Sequence, residues 1–170
     1  MNDPDMVSID GVRIRDDFVP GDIGAIIRLH AVLYHEEHGF DRTFEAYVAD
    51  GLARFVLGFD PARSRLWVAE RGGEVVGSIA IVGEAGGAAQ LRWFLVHPYC
   101  RSMGVGRRLL ADSIAFARDT GARSIFLWTV SDLDAAIRLY RAADFRVTEE
   151  KSHLQWGQQI TEQRFDLHLV

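Results

Sequence analysis

The chain has 170 residues, 48% of them hydrophobic, which is enough for one domain with a full core and too few for two. One cysteine leaves no disulfide framework and no zinc spacing, and a net charge of −5 argues against nucleic acid as a partner of the whole surface. No apolar run approaches membrane-spanning length, and the acidic start Met1-Asn-Asp-Pro-Asp-Met lacks the basic region of a signal peptide, so a soluble cytoplasmic protein without a membrane partner is expected.

Residues 1–10 are expected to be flexible, and the fold to begin with a short strand at Val12–Arg15. Pro20-Gly-Asp22 opens a helix with Ile23, Ile26, Ile27 and Leu33 on its apolar side. A second helix carries Phe44, Tyr47, Val48, Leu52, Phe55 and Val56. Both are rich in acids, whereas Arg101, Arg107 and Arg108 cluster further on, so an anionic cofactor and a cationic acceptor would suit the two ends; solvated helix faces explain the acids equally well.

Two strands, Arg65–Glu70 and Val75–Val82, flank Arg71-Gly-Gly-Glu74, where Gly-Gly permits a tight hairpin turn. A third follows at Ala89–Val96. A glycine-spaced segment, Arg101-Ser-Met-Gly-Val-Gly-Arg107, then leads into a helix over 104–119 that stops at Gly121. Strand, glycine loop and helix start in that order describe a pyrophosphate cradle: missing Cβ atoms let an anion reach the backbone, and the first helical turn supplies unpaired N–H groups. A Walker A loop would need Lys-Ser/Thr where Arg107-Arg108-Leu109 stands, and a dinucleotide fingerprint would need glycine at Leu109.

Arg123–Val130 is expected to run parallel to Ala89–Val96, through a right-handed crossover. Ser131-Asp132 can cap a helix with Leu133, Ala136, Ile137 and Tyr140 inward, and strands at Phe145–Glu149 and Gln163–Leu169 close the sheet. An exposed edge on the last strand would allow a homodimer as well as a monomer.

With Arg101-x-x-Gly-x-Gly106 after a strand, and Ala135-Ala-Ile-Arg-Leu-Tyr-Arg-Ala-Ala-Asp-Phe145 downstream, the chain resembles the GNAT superfamily of acetyl-CoA-dependent N-acetyltransferases. The resemblance implies an α/β (α+β) fold: a mixed, mostly antiparallel sheet splayed between two parallel strands and flanked by about four helices. It implies acetyl-CoA as co-substrate, bound through Leu95, Val96, Arg101, Ser102, Met103, Gly104, Val105, Gly106, Arg107 and Tyr140. It also implies a primary amine acceptor, on a small molecule or a protein. Backbone N–H near Leu95-Val96 would polarise the thioester carbonyl.

Tyr140 matches the family's tyrosine and would serve the departing thiolate, a packed core residue being its other reading. Glu37, beside Glu36 and His35 at the end of the first helix, is the leading base, against an ordinary exposed helix end. His35-Glu-Glu-His38 lacks the His-Glu-x-x-His spacing, so no metal is expected. His97 reads as a turn-capping residue, and Cys100 has no adjacent base to support an acetyl-cysteine, which favours direct transfer in a ternary complex.

Leu133 replaces the family's frequent asparagine, and Asp144 the glycine before Phe145. Leu127-Trp-Thr with Trp156-Gly and Thr161-Glu-Gln-Arg-Phe is similar to a GNAT subgroup associated with MarR-type regulators, which implies a bacterial setting. A noncatalytic acyl-CoA sensor and another coenzyme A or nucleotide enzyme are the alternatives.

Overall fold

The computed structural model describes residues 7–169. Eight strands form one sheet in the order β1-β2-β3-β4-β5-β6-β8-β7. These are β1 (Val7–Ile9), β2 (Val12–Arg15), β3 (Arg65–Arg71), β4 (Glu74–Gly83), β5 (Ala88–Val96), β6 (Ser124–Val130), β7 (Arg146–Gln155) and β8 (Gln158–His168). Four α-helices accompany them: α1 (Asp22–His38), α2 (Arg42–Leu57), α3 (Val105–Asp119) and α4 (Asp134–Ala142). The expected architecture is present, with β5 and β6 as the parallel pair. Of the N-terminal ten residues, Val7–Ile9 pair with β2, and Met1–Met6 lie outside the described residues.

Alternation along the central strands divides the core between the two faces of the sheet. Leu66, Val68 and Ala80 face Ile26, Val48, Leu52 and Phe55 of α1 and α2. Trp67, Ala69, Ile79 and Ile81 join Leu109, Leu110, Ile114 and Ala117 of α3 on the other side. Each large apolar side chain fully buried this way, such as Leu52 or Leu109, contributes roughly 1.5–3 kcal/mol relative to exposure.

Three sequence expectations change. The β7–β8 hairpin is much longer than Phe145–Glu149 and Gln163–Leu169, and it turns at Trp156-Gly157 with both φ angles positive, 52° and 75°. At the C-terminal end of the sheet the edge strand is β7, because β8 lies between β6 and β7. Ser131-Asp132 does not cap α4: Leu133 is the N-cap and no side chain bonds the first turn, while Ser131 bonds Asp132.

One irregularity in β5 positions the site. Ser78 pairs with Leu95 and Ala80 with Arg92, so Trp93 and Phe94 together oppose Ile79 in a β-bulge, with Trp93 at φ 47°. The buried Ser78 hydroxyl holds this kink by donating to the Trp93 carbonyl at 2.7 Å. From α2, Gly51 allows close approach, since a Cβ there would stand 3.1 Å from the Trp93 ring. The bulge bends β5 away from β6. Their parallel pairing covers only Ala88–Gln90 with Ser124–Phe126, after which β5 stays on β4 and β6 on β8.

Candidate active site

A cleft of about 680 Å³ occupies the splay, a size ordinary for a small-molecule site. Its walls are Gln90–Val96 of β5 and Leu127–Val130 of β6, with residues of α1 and α2 and the starts of α3 and α4 completing the lining.

The start of α3 has the properties of an anion cradle. Asp41 caps α2 by accepting from the Thr43 amide at 2.8 Å, but α3 has no side-chain cap. Its N-cap is Gly104, at φ 89°, and the first helical bond runs from the Arg108 amide to the Gly104 carbonyl at 3.0 Å. The amides of Val105, Gly106 and Arg107 therefore lack intrahelical acceptors, and the positive end of the helix adds to their pull on an anion. Gly104 is required by its φ. At Gly106 a Cβ would meet Leu139 at 3.4 Å and Phe94 at 3.5 Å, ordinary contacts that the fold tolerates on the lining of the cleft. The start of α4 is uncapped too, and Leu133 to Ala136 line the same cleft.

The expected cofactor residues divide by what they present. Leu95, Val96, Arg101, Ser102, Gly104, Gly106, Arg107 and Tyr140 line the cleft. Val105 is buried and Met103 packs against the core, so these two have only backbone to offer. Arg101 is not a free cation: its guanidinium donates to the Val96 carbonyl at 2.9 Å and pairs with Glu37 at 2.8 Å. Arg107, and Arg138 from α4, line the cleft without an ion pair among the described residues. Sequence reading missed Arg138, which stands one helical turn before Arg141 on α4 and carried no motif of its own.

Tyr140 is 4% exposed and packs among Phe94, Phe145 and Phe165, with ring centroids 5.8–6.0 Å away. Its helical spacing from Ile137 makes it a core residue, and its place on the cleft wall leaves the phenol available to a ligand. Burial pushes the phenol far above its usual range, and the neighbouring Tyr34 phenol adds to the effect. Both tyrosines line the cleft.

Glu37 also lines the cleft, tied across 64 residues to the glycine loop by Arg101. His38 lies 3.8 Å from it. His97 caps the turn after β5 by accepting from the Tyr99 amide at 3.3 Å. Cys100 is buried in the core and does not line the cleft. Among the described residues, no group of three or more His, Cys, Asp and Glu side chains could hold a metal ion, and no helix is long and apolar enough to cross a membrane.

His30 is a site residue that sequence reading missed. It lies on the buried side of α1, lines the cleft, and keeps an unpartnered ring nitrogen. The available signal was spacing, because His30 follows Ile26 by four residues and so falls on the apolar stripe.

Residues 26–145, which contain both the glycine loop and Tyr140, match the model of the Acetyltransferase (GNAT) family. The chain belongs to the GNAT acetyltransferase family. This acetyltransferase is 28% identical over 155 residues to an uncharacterized N-acetyltransferase of Schizosaccharomyces pombe, covering 90% of this chain and 91% of the relative. It is 30% identical over 151 residues to the mycothiol acetyltransferase of Cellulomonas flavigena, but spans only 41% of that protein's length. Among solved structures, the Salmonella typhimurium protein yncA, determined with its cofactor acetyl-CoA, superposes with a TM-score of 0.71 at 24% identity over 95% of both chains. A GNAT-family acetyltransferase of Staphylococcus aureus Mu50 superposes at 0.75 with 15% identity, over 94% of this chain and 99% of that one. At these identities the two structures establish the shared fold.

Proposed function

We propose that this acetyltransferase moves an acetyl group from acetyl-CoA to a primary amine by direct attack in a ternary complex. The observation that carries the reading is the uncapped α3 start beneath the β5–β6 splay, with the Tyr140 phenol on the same cleft wall. The amides of Val105, Gly106 and Arg107 would receive the pyrophosphate, with Arg107 and Arg138 as the cations beside it. The backbone of Leu95 and Val96, beyond the bulge, would lie along the thioester.

The attacking nitrogen needs its lone pair, and a lysine-like amine with a pKa of about 10.4 is mostly protonated at neutral pH. Glu37 is proposed to take that proton through ordered water, with Arg101 holding the carboxylate at the cleft. Attack forms the C–N bond and breaks the C–S bond, giving amide and thiolate. Tyr140 then acts as a hydrogen-bond donor to the thiolate. Burial sets its phenol above its usual value of about 10, well over a thiol near 8.5, so full proton transfer from Tyr140 would be uphill and solvent supplies the proton.

The likeness of Leu127-Trp-Thr and of the Trp156–Phe165 stretch to the MarR-associated subgroup supports a bacterial, cytoplasmic setting as part of this proposal. The proposed enzyme works as a monomer or a homodimer, and without a metal. Thiol release from acetyl-CoA on addition of a primary amine tests the reading; acetyl-CoA binding with no release across a broad amine panel would favour a noncatalytic sensor.

A further inference from the structure

The acceptor end of the cleft holds a neutral acceptor at its floor and aromatic rings along its wall. His30 is 3% exposed, and its Nδ1 sits 2.9 Å from the Ile26 carbonyl. A carbonyl can only accept, so Nδ1 carries the hydrogen and Nε2 presents its lone pair. Nε2 has no hydrogen-bond partner and is itself closed to solvent, although the ring lines the cleft, so an N–H reaches it with a small movement of the ring. Such an unpaired buried acceptor is a cost that a ligand N–H relieves. Burial also lowers the imidazole pKa to about 4, against the opposing pull of the Ile26 carbonyl, so the ring is neutral at physiological pH.

From His30 a series of rings leads outward. His30 stacks on Tyr34 at 7° between planes, and Tyr34 lies 4.5 Å from Phe44 between centroids. Phe44 meets Trp156 at 4.9 Å, Trp156 meets Tyr47 at 5.3 Å, and Tyr47 is 48% exposed at the mouth. Tyr34, Phe44, Tyr47 and Trp156 all line the cleft.

Two of the four cleft-lining carboxylates are already matched, while Asp132 and Asp134 at the start of α4 carry no ion pair among the described residues. Glu37 is paired with Arg101 at 2.8 Å, and Glu162 lies 3.2 Å from His153 and 3.7 Å from Lys151. Acid-rich helices suggested a cationic acceptor from sequence, but this end of the cleft offers ring faces and a neutral acceptor.

We propose that the acceptor is a primary amine borne on an aromatic body, which lies along Tyr34, Phe44, Tyr47 and Trp156 and donates an amine N–H to His30 Nε2. With one N–H held there, the nitrogen lone pair is left for the thioester carbonyl, and the Tyr140 phenol, on the lining of the same cleft, serves the leaving sulfur. This rests on the acetyltransferase reading. A polycationic amine would have to bury its further charges beside His30 and the rings, where Glu37 and Glu162 are already paired.

The test compares 2-phenylethylamine, methylamine and spermidine as acceptors for the wild-type protein and for His30→Phe, His30→Gln and Tyr47→Ala, with acetyl-CoA affinity measured separately by calorimetry. The expected kcat/KM is at least tenfold higher for 2-phenylethylamine than for spermidine. His30→Phe keeps a ring on Tyr34 but lacks Nε2, and should lower kcat/KM for 2-phenylethylamine at least tenfold, with acetyl-CoA affinity within twofold of wild type. His30→Gln restores an acceptor and should recover part of the loss. Tyr47→Ala, at the exposed mouth, covers the case in which the His30 variants do not fold: it should lower kcat/KM several-fold more for 2-phenylethylamine than for methylamine. Spermidine as the better acceptor, or folded His30 and Tyr47 variants with unaltered selectivity, would overturn the proposal while leaving the acetyltransferase reading intact. Failure to bind acetyl-CoA would remove both.

Discussion

Replacing Tyr140 by phenylalanine isolates one atom of the proposed chemistry. The ring packs on Phe94, Phe145 and Phe165 at 5.8–6.0 Å, and phenylalanine preserves those contacts. What disappears is a donor that would meet a developing thiolate. A hydrogen bond to a charged group contributes about 1.5–3 kcal/mol, and each 1.36 kcal/mol is a factor of ten in rate, so kcat should fall roughly ten- to a hundredfold. Acetyl-CoA affinity should change little, because the donor acts on charge that forms only after attack. The pH profile adds a second reading. Burial raises the Tyr140 phenol, so the neutral, donating form persists past the usual value of about 10, and no alkaline loss of activity near pH 9 should belong to this residue. Thiol release between pH 6 and 10, with calorimetry for the donor and a thermal melt for the fold, measures all three. A folded Tyr140→Phe protein with wild-type kcat throughout that range would refute the role.

Two glycines should fail differently. Gly104→Ala forces φ 89° on a residue with a Cβ, at a cost of about 1–2 kcal/mol, and should lower both the melting temperature and acetyl-CoA affinity. Gly106→Ala meets only ordinary contacts, so it should melt like wild type yet bind acetyl-CoA at least tenfold more weakly in calorimetry. Glu37→Gln should lower kcat about a hundredfold near pH 7 and less near pH 10, where the amine is already neutral, as followed by thiol release across pH. Arg15→Ala should cost about 3 kcal/mol by stranding the Asp22 carboxylate, which Arg15 holds at 2.7 Å. Burial raises the Asp22 pKa, but the Arg15 and Val19 hydrogen bonds outweigh it and the net shift is downward. This carboxylate therefore stabilises the fold above its unfolded value near 3.9 and loses that contribution as pH falls below it, which chemical denaturation at pH 7 and pH 3 would measure.

Local signals were the legible ones. Gly72-Gly73 turn the β3–β4 hairpin at φ 60° and 85°, and Asp144 takes the left-handed conformation at φ 67° in place of the family's glycine. The cradle could be read because its loop, its helix start and its arginines are contiguous in sequence. Features set by distant contacts could not. Nothing near Trp93 announces a positive φ, which depends on Ser78 and on Gly51 of another helix. The edge strand β7 shows no alternation, since Arg146 to Ser152 are all exposed, and its turn puts a tryptophan at positive φ because Trp156 packs on Phe40 and Phe44. Arg101 sits in the loop as expected, but only the fold brings Glu37 to it and leaves Arg107 and Arg138, like Arg92 of β5, without an ion pair among the described residues.

The splayed cleft is proposed to join a coenzyme A thioester to an amine. Continuous thiol detection with purified protein, acetyl-CoA and 2-phenylethylamine tests it most directly, with the acetylated product confirmed by mass. One thiol and one amide per turnover are expected, both abolished or strongly reduced in Gly106→Ala. Neither thiol nor amide with any primary amine, from a protein that binds acetyl-CoA, would contradict the proposal.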